Sequence, residues 1–165
     1  MVKTLLDMSE LQTVSRDETI AIDALVDEVL VDLEPLAQEK EIKLIGNCKD
    51  TTMVGSDILI YRMVYNLVEN AIKYNHFGGQ VTVTAYRSGK NICLSVEDTG
   101  SGIPAELKER IFEPFFRVDK SRSRQLGGVG LGLALVREIV RVHDGRITVQ
   151  SSPSGGTIFE VVFTQ

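Results

Sequence analysis

The sequence lacks the features that mark a membrane-spanning, disulfide-stabilised or nucleic-acid-binding protein. It contains no apolar run of about eighteen residues, so we expect neither a transmembrane helix nor a signal peptide. Its two cysteines, Cys48 and Cys93, are not spaced as metal ligands and are interpreted as reduced thiols. The net charge of -5 is opposite in sign to the basic surface that general nucleic-acid binding requires. At 165 residues, the chain is long enough for one domain with its own core.

Hydrophobic periodicity predicts helices that alternate with strands, most of them paired in hairpins. Apolar residues recur at helical spacing over residues 2–15, 23–36, 56–74 and 131–143. Asp23 is the expected N-cap of the second helix, Pro35 should kink or end it, and Asp144-Gly145 should stop the last helix. Alternating residues predict strands over 42–46, 51–54, 81–86, 92–97, 146–151 and 157–164. We therefore expect an α+β fold whose largely antiparallel sheet carries its helices on one face.

An unusual polar stripe lies on the helix predicted over residues 56–74. At about 100° per residue, Asn66, Asn70, Lys73 and Tyr74 fall on one side of that helix. Asparagine is a mediocre helix former because its amide competes for backbone groups, so a solvated face would normally carry Glu, Lys or Arg. The stripe therefore indicates two neutral oxygen donors and an ammonium that face an anionic or metal-bearing ligand. The alternative is a polar face that happens to contain asparagine.

Strand parity places a carboxylate on the apolar face of the predicted sheet. Counting by twos from Ile92 turns Asp98 inward at the end of its strand, where burial is costly unless the carboxylate is hydrogen-bonded. Asp98 is either a cap for the following loop or an acceptor in a pocket for an amino group such as that of adenine. Gly100 and Gly102 would then let the backbone pass close to a flat base. Thr157 should face the same interior from the last strand.

A glycine-rich stretch, residues 127–133, opens directly into the last predicted helix and is typical of a phosphate site. Because no parallel βαβ unit surrounds it and no Gly-Lys-Ser/Thr follows, it is neither a Rossmann site nor a P-loop. The loop before it, residues 113–126, carries the aromatic and basic side chains Phe115, Phe116, Arg117, Lys120, Arg122 and Arg124. We interpret this loop as a mobile lid whose cations meet polyphosphate. A solvated, disordered loop is the alternative for Lys120, Arg122 and Arg124.

Together and in this order, these segments resemble the catalytic and ATP-binding domain of sensor histidine kinases, a superfamily shared with gyrase, Hsp90 and MutL. The matching motifs are the N box at 66–74, the G1 box at 98–102, the F box at 112–117, the G2 box at 128–132 and the closing Gly156-Thr157. The resemblance covers residues 22–165. It implies a two-layer α/β sandwich with a mixed, mostly antiparallel sheet of about five strands.

The resemblance also implies a role for each matched residue. Asn70 would ligate a Mg²⁺ that bridges the phosphates of ATP, and Lys73 and Arg117 would contact phosphate oxygens. Tyr74 would line the nucleotide, and Asp98 would accept a hydrogen bond from adenine. The other implied nucleotide-binding residues are Gly100, Gly102, Ile103, Gly128, Gly130, Leu131, Gly132, Leu133 and Thr157.

Asn66 distinguishes a kinase from a hydrolase within this superfamily. ATPases that this fold resembles carry there a glutamate that activates water, and an amide cannot accept that proton near neutral pH. The resemblance therefore implies a protein-histidine kinase, in which the γ-phosphoryl group passes to a histidine and then to an aspartate of a response regulator. Catalysis would rest on positioning and on charge neutralisation by Mg²⁺, Lys73 and Arg117.

The phosphoacceptor histidine is not found in this sequence. His76 and His143 both lack the His-Glu/Asp-x-x-Thr/Asn-Pro context of such a residue, and we expect both to be structural. Residues 1–16 resemble the end of a dimerisation helix, and residues 17–165 form the catalytic domain. We expect a monomeric fragment from the cytoplasmic part of a membrane-anchored homodimer, with its own dimerisation domain and a response regulator as partners.

Two other functions are compatible with parts of this pattern. The first is an ATPase or a serine kinase of the same superfamily, for example of the anti-sigma-factor type, although the N-terminal helical segment counts against it. The second is a degenerate module that binds nucleotide or only partner helices. The intact Asn70, Asp98 and glycines of the G2 box count against degeneracy.

Overall fold

The structure, a computed structural model, describes residues 11–114, residue 116 and residues 132–165. Within these ranges lie the helices α1 (Ile22–Glu39), α2 (Asp57–Lys73) and α3 (Gly132–Val142). The strands are β1 (Glu18–Ala21), β2 (Lys43–Cys48), β3 (Thr52–Gly55), β4 (Gln80–Ser88), β5 (Asn91–Asp98), β6 (Gly145–Ser151) and β7 (Thr157–Thr164). Over this described part, no helix has both the length and the apolar character needed to span a membrane.

Five strands form one mixed sheet in the order β2-β4-β5-β7-β6. The edge strand β2 runs parallel to β4, and the other neighbours are antiparallel. The predicted hairpin joins β4 to β5, with Ser88 opposite Asn91 at its turn. A separate two-stranded sheet pairs β1 with β3. The predicted α+β fold with a mixed, mostly antiparallel sheet of five strands is confirmed.

One face of the sheet is buried against the helices. Along β5, Ile92, Leu94 and Val96 are buried, and the side chains between them are only half-buried. The strands β4 and β7 alternate in the same way, and their inward residues join the apolar faces of all three helices in one core. Because side chains alternate along a strand, Asp98 also points to this face, as the parity predicted.

The start of α1 differs from the prediction. The helix begins at Ile22, and Ala21 is its N-cap without a side-chain hydrogen bond. Asp23 therefore lies in the first turn, where its charge favours the helix dipole, and it is not the N-cap. The reason is β1, which runs directly into the helix, while the Ile22 N–H donates to the Thr51 carbonyl at 2.9 Å. The strand β1 has only four residues, of which one is buried, so the sequence shows no alternation that would predict it.

Pro35 does not end α1, since the helix continues to Glu39. A proline removes the N–H that would bond the carbonyl four residues earlier, here that of Val31. Both Pro35 and Val31 lie on the exposed side of α1, so water can solvate the freed carbonyl. At the end of α3, the predicted stop is confirmed, but Asp144 adopts the left-handed conformation there, with φ of 57°.

Side-chain hydrogen bonds hold both ends of α2. At its N-terminus, the Ser56 hydroxyl accepts from the Leu59 N–H at 3.3 Å. At its C-terminus, the Lys40 ammonium donates to the carbonyls of Ile72, Lys73 and Asn75 at 3.2, 3.0 and 2.8 Å. A cation at this end also favours the helix dipole. The helix that carries the asparagine stripe is therefore fixed against its neighbours.

His143 connects the start of α2 to the end of α3. Its Nε2 accepts from the Ser56 N–H at 3.0 Å, and its Nδ1 donates to the Ile139 carbonyl at 2.8 Å. The ring is buried and packs edge-on against Phe163. Burial lowers the pKa of His143, and the charge of Arg16 acts in the same direction, against the Ile139 hydrogen bond and Asp144. A neutral imidazole that accepts one hydrogen bond and donates another has a structural role, as expected for His143.

We predict that His143 makes the fold less stable as the pH falls below about 6.5. Because the folded pKa is lowered, the unfolded chain binds more protons there, and stability decreases with decreasing pH by at most about 1.4 kcal/mol per pH unit. His143→Gln keeps an acceptor for the Ser56 N–H but cannot titrate, so denaturant unfolding from pH 7.5 to 5 should show a smaller pH dependence. The matched control, His76→Gln, changes an exposed histidine and should retain the parent's dependence. Equal pH dependence in parent and His143→Gln would contradict this prediction.

Candidate functional site

A cleft of about 260 Å³ opens where the C-terminal ends of α2 and β5 meet the start of β7. This is slightly below the usual volume of ligand pockets, about 300 to 1,000 Å³. The described residues that line the cleft are Asn70, Tyr74, Asp98, Ser101, Gly102, Ile103, Ile111, Phe116, Leu133, Thr157 and Phe159. Residues of the predicted N, G1 and F boxes and of the closing Gly-Thr therefore share one cavity with Leu133, which follows the G2 box.

Asp98 is the buried charged group of this cleft, with 7% of its surface exposed. Its Oδ1 accepts from two backbone N–H groups, that of Gly100 at 2.8 Å and that of Thr157 at 3.3 Å. Burial raises the pKa of Asp98, and these two hydrogen bonds act against that increase. Within the described part of the chain, Oδ2 accepts no hydrogen bond, so one carboxylate oxygen is left for a donor in the cleft.

Two glycines allow the backbone to close around Asp98. A Cβ at Gly100 would lie 2.6 Å from the Tyr74 carbonyl oxygen, and a Cβ at Gly156 would overlap the carbonyl of Asp98 itself. Both positions therefore exclude any side chain without a backbone shift. Asp98 acts both as the predicted loop cap, through Gly100, and as an acceptor that faces the cleft. The two interpretations of this residue are not exclusive.

The rest of the cleft is largely apolar. Ile103, Ile111, Leu133 and Phe159 contribute aliphatic and aromatic surface around Asp98. Phe112, at the end of the Arg110–Phe112 turn, packs edge-on against the Phe159 ring, with 6.2 Å between the ring centroids. An apolar slot with one carboxylate acceptor suits a flat aromatic ligand that carries an amino group.

The asparagine helix contributes two of its four predicted residues to the cleft wall. Asn70 and Tyr74 line the cavity, whereas Asn66 and Lys73 are half-buried and are not part of the described lining. The Lys73 ammonium lies 3.8 Å from a Glu69 carboxylate oxygen, at the outer limit of an ion pair. A partly exposed pair at this distance contributes little stability, so Lys73 can move toward a ligand at small cost.

The phosphate end of the predicted site is only partly described. Arg117, Gly128, Gly130 and Leu131, as well as the cations proposed for the lid, lie outside the described residues. Gly132 begins α3 and is exposed, and the next residue, Leu133, reaches the cleft. From the predicted lid, Phe116 lines the cleft, with the Arg110 guanidinium 4.7 Å from its ring centroid.

Several residues of the site are not indicated by the sequence pattern. Ser101, Ile111 and Phe159 line the cleft without a predicted role. Ser101 lies within the predicted G1 box, and inward parity could have placed Phe159 in the cleft. Asn75 is fully buried beside the cleft, where its side chain forms hydrogen bonds at both ends. In the sequence, Asn75 resembles an ordinary turn residue after a helix. Its burial depends on contacts with Gln80 at the start of β4 and with Thr99 just after β5, which no local pattern reveals.

Comparison with known proteins identifies relatives for this arrangement. The family model described as histidine kinase-, DNA gyrase B-, and HSP90-like ATPase matches residues 55–165. The sensor-like histidine kinase SenX3 of Mycobacterium tuberculosis is 39% identical over 163 residues, which is 96% of this chain and 40% of SenX3. The chain therefore spans well under half the length of this relative.

Two solved structures resemble the fold closely. Full-length ShkA in complex with AMPPNP superposes with a TM-score of 0.82 at 26% identity, over 98% of this chain and 34% of that one. The histidine kinase ThkA in complex with the response regulator protein TrrA superposes with a TM-score of 0.80 at 27% identity, over 99% of this chain and 46% of that one. Both structures are similar to this chain over nearly its entire length.

Proposed function

The chain belongs to the histidine kinase-, DNA gyrase B- and HSP90-like ATPase family, and from this membership we propose that it binds Mg²⁺-ATP and transfers the γ-phosphoryl group to a histidine. SenX3 and ThkA, to which it is similar, are histidine kinases by name. The chain is thus the ATP-binding catalytic domain, residues 17–165, of a two-component sensor kinase. Residues 1–16 would be the end of the dimerisation helix.

The observation that carries this proposal is the arrangement at Asp98. Two backbone N–H groups occupy Oδ1, while Oδ2 accepts nothing within the described residues and belongs to an apolar cleft. The amino group of adenine is a donor of suitable size for that position. Gly102 and Ile103 would lie against the base, with Leu133, Tyr74 and Thr157 at its sides. The AMPPNP that ShkA binds supports an ATP-like ligand for this cleft.

A magnesium ion fits the donor chemistry of Asn70. Among the described residues, no three His, Cys, Asp or Glu side chains cluster as a metal site. Mg²⁺ commonly takes few protein ligands and completes its shell with water and substrate phosphates. The amide oxygen of Asn70, on the cleft wall, is a hard donor of the required kind. When bound, the ion would neutralise charge on the phosphates.

The residues around the phosphates explain why a histidine, and not water, would accept the phosphoryl group. Asn66 has an amide one turn before Asn70 and cannot serve as a general base near neutral pH. Lys73 and Arg117 would stabilise charge on the transferred group, and Gly128, Gly130, Leu131 and Gly132 would offer backbone N–H groups. Hydrolysis would then be slow, and the phosphoryl group would be retained for its protein acceptor.

The partners follow from this chemistry. The acceptor histidine would lie on the protein's own dimerisation domain, and the ThkA complex supports a response regulator as the next acceptor. The complete protein would be a membrane-anchored homodimer with this domain in the cytoplasm, whereas the fragment alone would be monomeric. The charge of -5 gives no reason to add nucleic acid to these partners.

Phosphotransfer to a separate dimerisation domain tests this proposal directly. The chain, ATP labelled in the γ-phosphate, Mg²⁺ and a histidine kinase dimerisation domain should yield an acid-labile, base-stable label on that domain. The acceptor with His→Gln at its phosphorylation site is the matched control and should stay unlabelled. Acid-stable label would indicate a serine kinase, and release of phosphate without label would indicate an ATPase.

Asp98→Asn should weaken ATP binding by about 1 to 3 kcal/mol, the usual cost of losing a hydrogen bond to a charged group. The amide can still accept from the two backbone N–H groups, but its NH₂ group would face the donor on adenine. Titration calorimetry measures the change. Glu97→Gln alters the neighbouring carboxylate on the opposite face of the sheet and should bind ATP like the parent. Unchanged affinity in Asp98→Asn would place adenine elsewhere.

Asn70→Ala should remove the dependence of ATP affinity on Mg²⁺, because the ion would lose its protein ligand. Calorimetric titrations with Mg²⁺ and with a chelator should differ for the parent and coincide for the variant. Asn47→Ala removes an exposed asparagine on β2 and should behave as the parent does. A variant that still responds to Mg²⁺ would contradict the assignment of Asn70 as the ligand.

A further inference from the structure

The buried Asn75 and the half-buried Thr99 form a hydrogen-bonded pair, called here the Asn75–Thr99 clasp. The Thr99 hydroxyl donates to Asn75 Oδ1 at 3.1 Å and accepts from the Gln80 N–H at 2.9 Å. Oδ1 also accepts from the His76 N–H at 2.9 Å, and Asn75 Nδ2 donates to the Gln80 carbonyl at 3.1 Å. The clasp lies outside the cleft lining, and the proposed binding of ATP requires no contact with it.

The clasp joins the two segments that carry the cleft's polar groups. Asn75 directly follows Tyr74 at the end of α2, and Thr99 directly follows Asp98 at the end of β5. The next residue, Gly100, packs so closely on this junction that an added Cβ would lie 3.2 Å from the Asn75 Cα. Its N–H is one of the two donors to Asp98 Oδ1. A shift at the clasp would therefore reach the carboxylate through Gly100.

The burial of Asn75 explains why the clasp fixes α2 and β5 in one relative position. An amide without surface exposure is costly to bury unless it is hydrogen-bonded, and here its oxygen and nitrogen bond three separate residues. Sliding of α2 relative to β5 would break several of these hydrogen bonds together. The Lys40 ammonium also donates a hydrogen bond to the Asn75 carbonyl at 2.8 Å. The junction is thus specified by side chains that do not touch the cleft.

We propose that Asn75 and Thr99 are positioning residues that set the spacing between the helix-borne Asn70 and Tyr74 and the strand-borne Asp98. A nucleotide held by both sides of the cleft requires this spacing to match its own length. The inference rests on the proposed function of the cleft as an ATP site. The clasp acts only through Gly100, Tyr74 and Asp98 and makes no contact with the ligand.

Thr99→Val and Thr99→Ser separate this role from simple packing. Valine keeps the shape of threonine without its hydroxyl, whereas serine keeps the hydroxyl and loses a methyl group. With Mg²⁺-ATP, we expect ~10-fold weaker binding for Thr99→Val and binding within about twofold of the parent for Thr99→Ser. If the parent binds ATP and Thr99→Val binds it with equal affinity, the positioning role of the clasp is overturned.

Amide hydrogen exchange without nucleotide provides a second measurement. In Thr99→Val, the Gly100 and Thr157 amides that bond Asp98 should exchange about tenfold faster, while the Leu94 amide in the middle of β5 stays unchanged. Equal acceleration at all three amides would mean general destabilisation and would overturn the positioning role. If the parent fails to bind ATP, the proposed function is wrong, and these exchange rates still decide whether the clasp holds Asp98.

Discussion

The burial of the Asp98 carboxylate is the constraint around which the cleft is built. A charged group with so little exposure needs hydrogen bonds in place of lost water, and the Gly100 and Thr157 N–H groups provide them from two different chain segments. Those donors reach Oδ1 only because the backbone passes close to it at Gly100 and Gly156. The same arrangement leaves Oδ2 in an apolar cavity, where it can accept a hydrogen bond from a ligand.

The helix and the sheet contribute different properties to this site. The sheet presents Asp98 and Thr157 from central strands that are hydrogen-bonded on both sides, so the Asp98 end of the cleft is held firmly. The helix end offers Asn70 and Tyr74, and its last turn is held by Lys40 and the Asn75–Thr99 clasp. Rigid positioning of this kind suits phosphoryl transfer, in which the protein mainly orients groups and neutralises charge.

Local patterns predicted the elements that are long or strictly periodic. The parity of β5 and β7 placed Asp98 and Thr157 on one face, and the structure brings both into the same cleft. The strand β1 and the buried Asn75 depend on pairing across the fold, which neighbouring residues do not encode. Of the two outcomes predicted for Pro35, a kink or an end of the helix, the end does not occur, because Pro35 and Val31 both lie on the exposed side of α1, where water can solvate the freed carbonyl. Parity suggested Asp98 as a possible acceptor for an amino group, whereas the roles of Asn70 toward Mg²⁺ and of Lys73 and Arg117 toward phosphate were implied by the resemblance.

The position of β2 has a consequence for where the domain can be cut. The family match begins at residue 55, yet β2 precedes it and pairs with β4 along the sheet edge. The helix α1, which packs on α2, also precedes that boundary. A fragment that started at Gly55 would leave unpaired the edge of β4 that faces β2, and would uncover the part of α2 that packs on α1. Such surfaces promote aggregation. The unit that folds is therefore larger than the unit that the family shares.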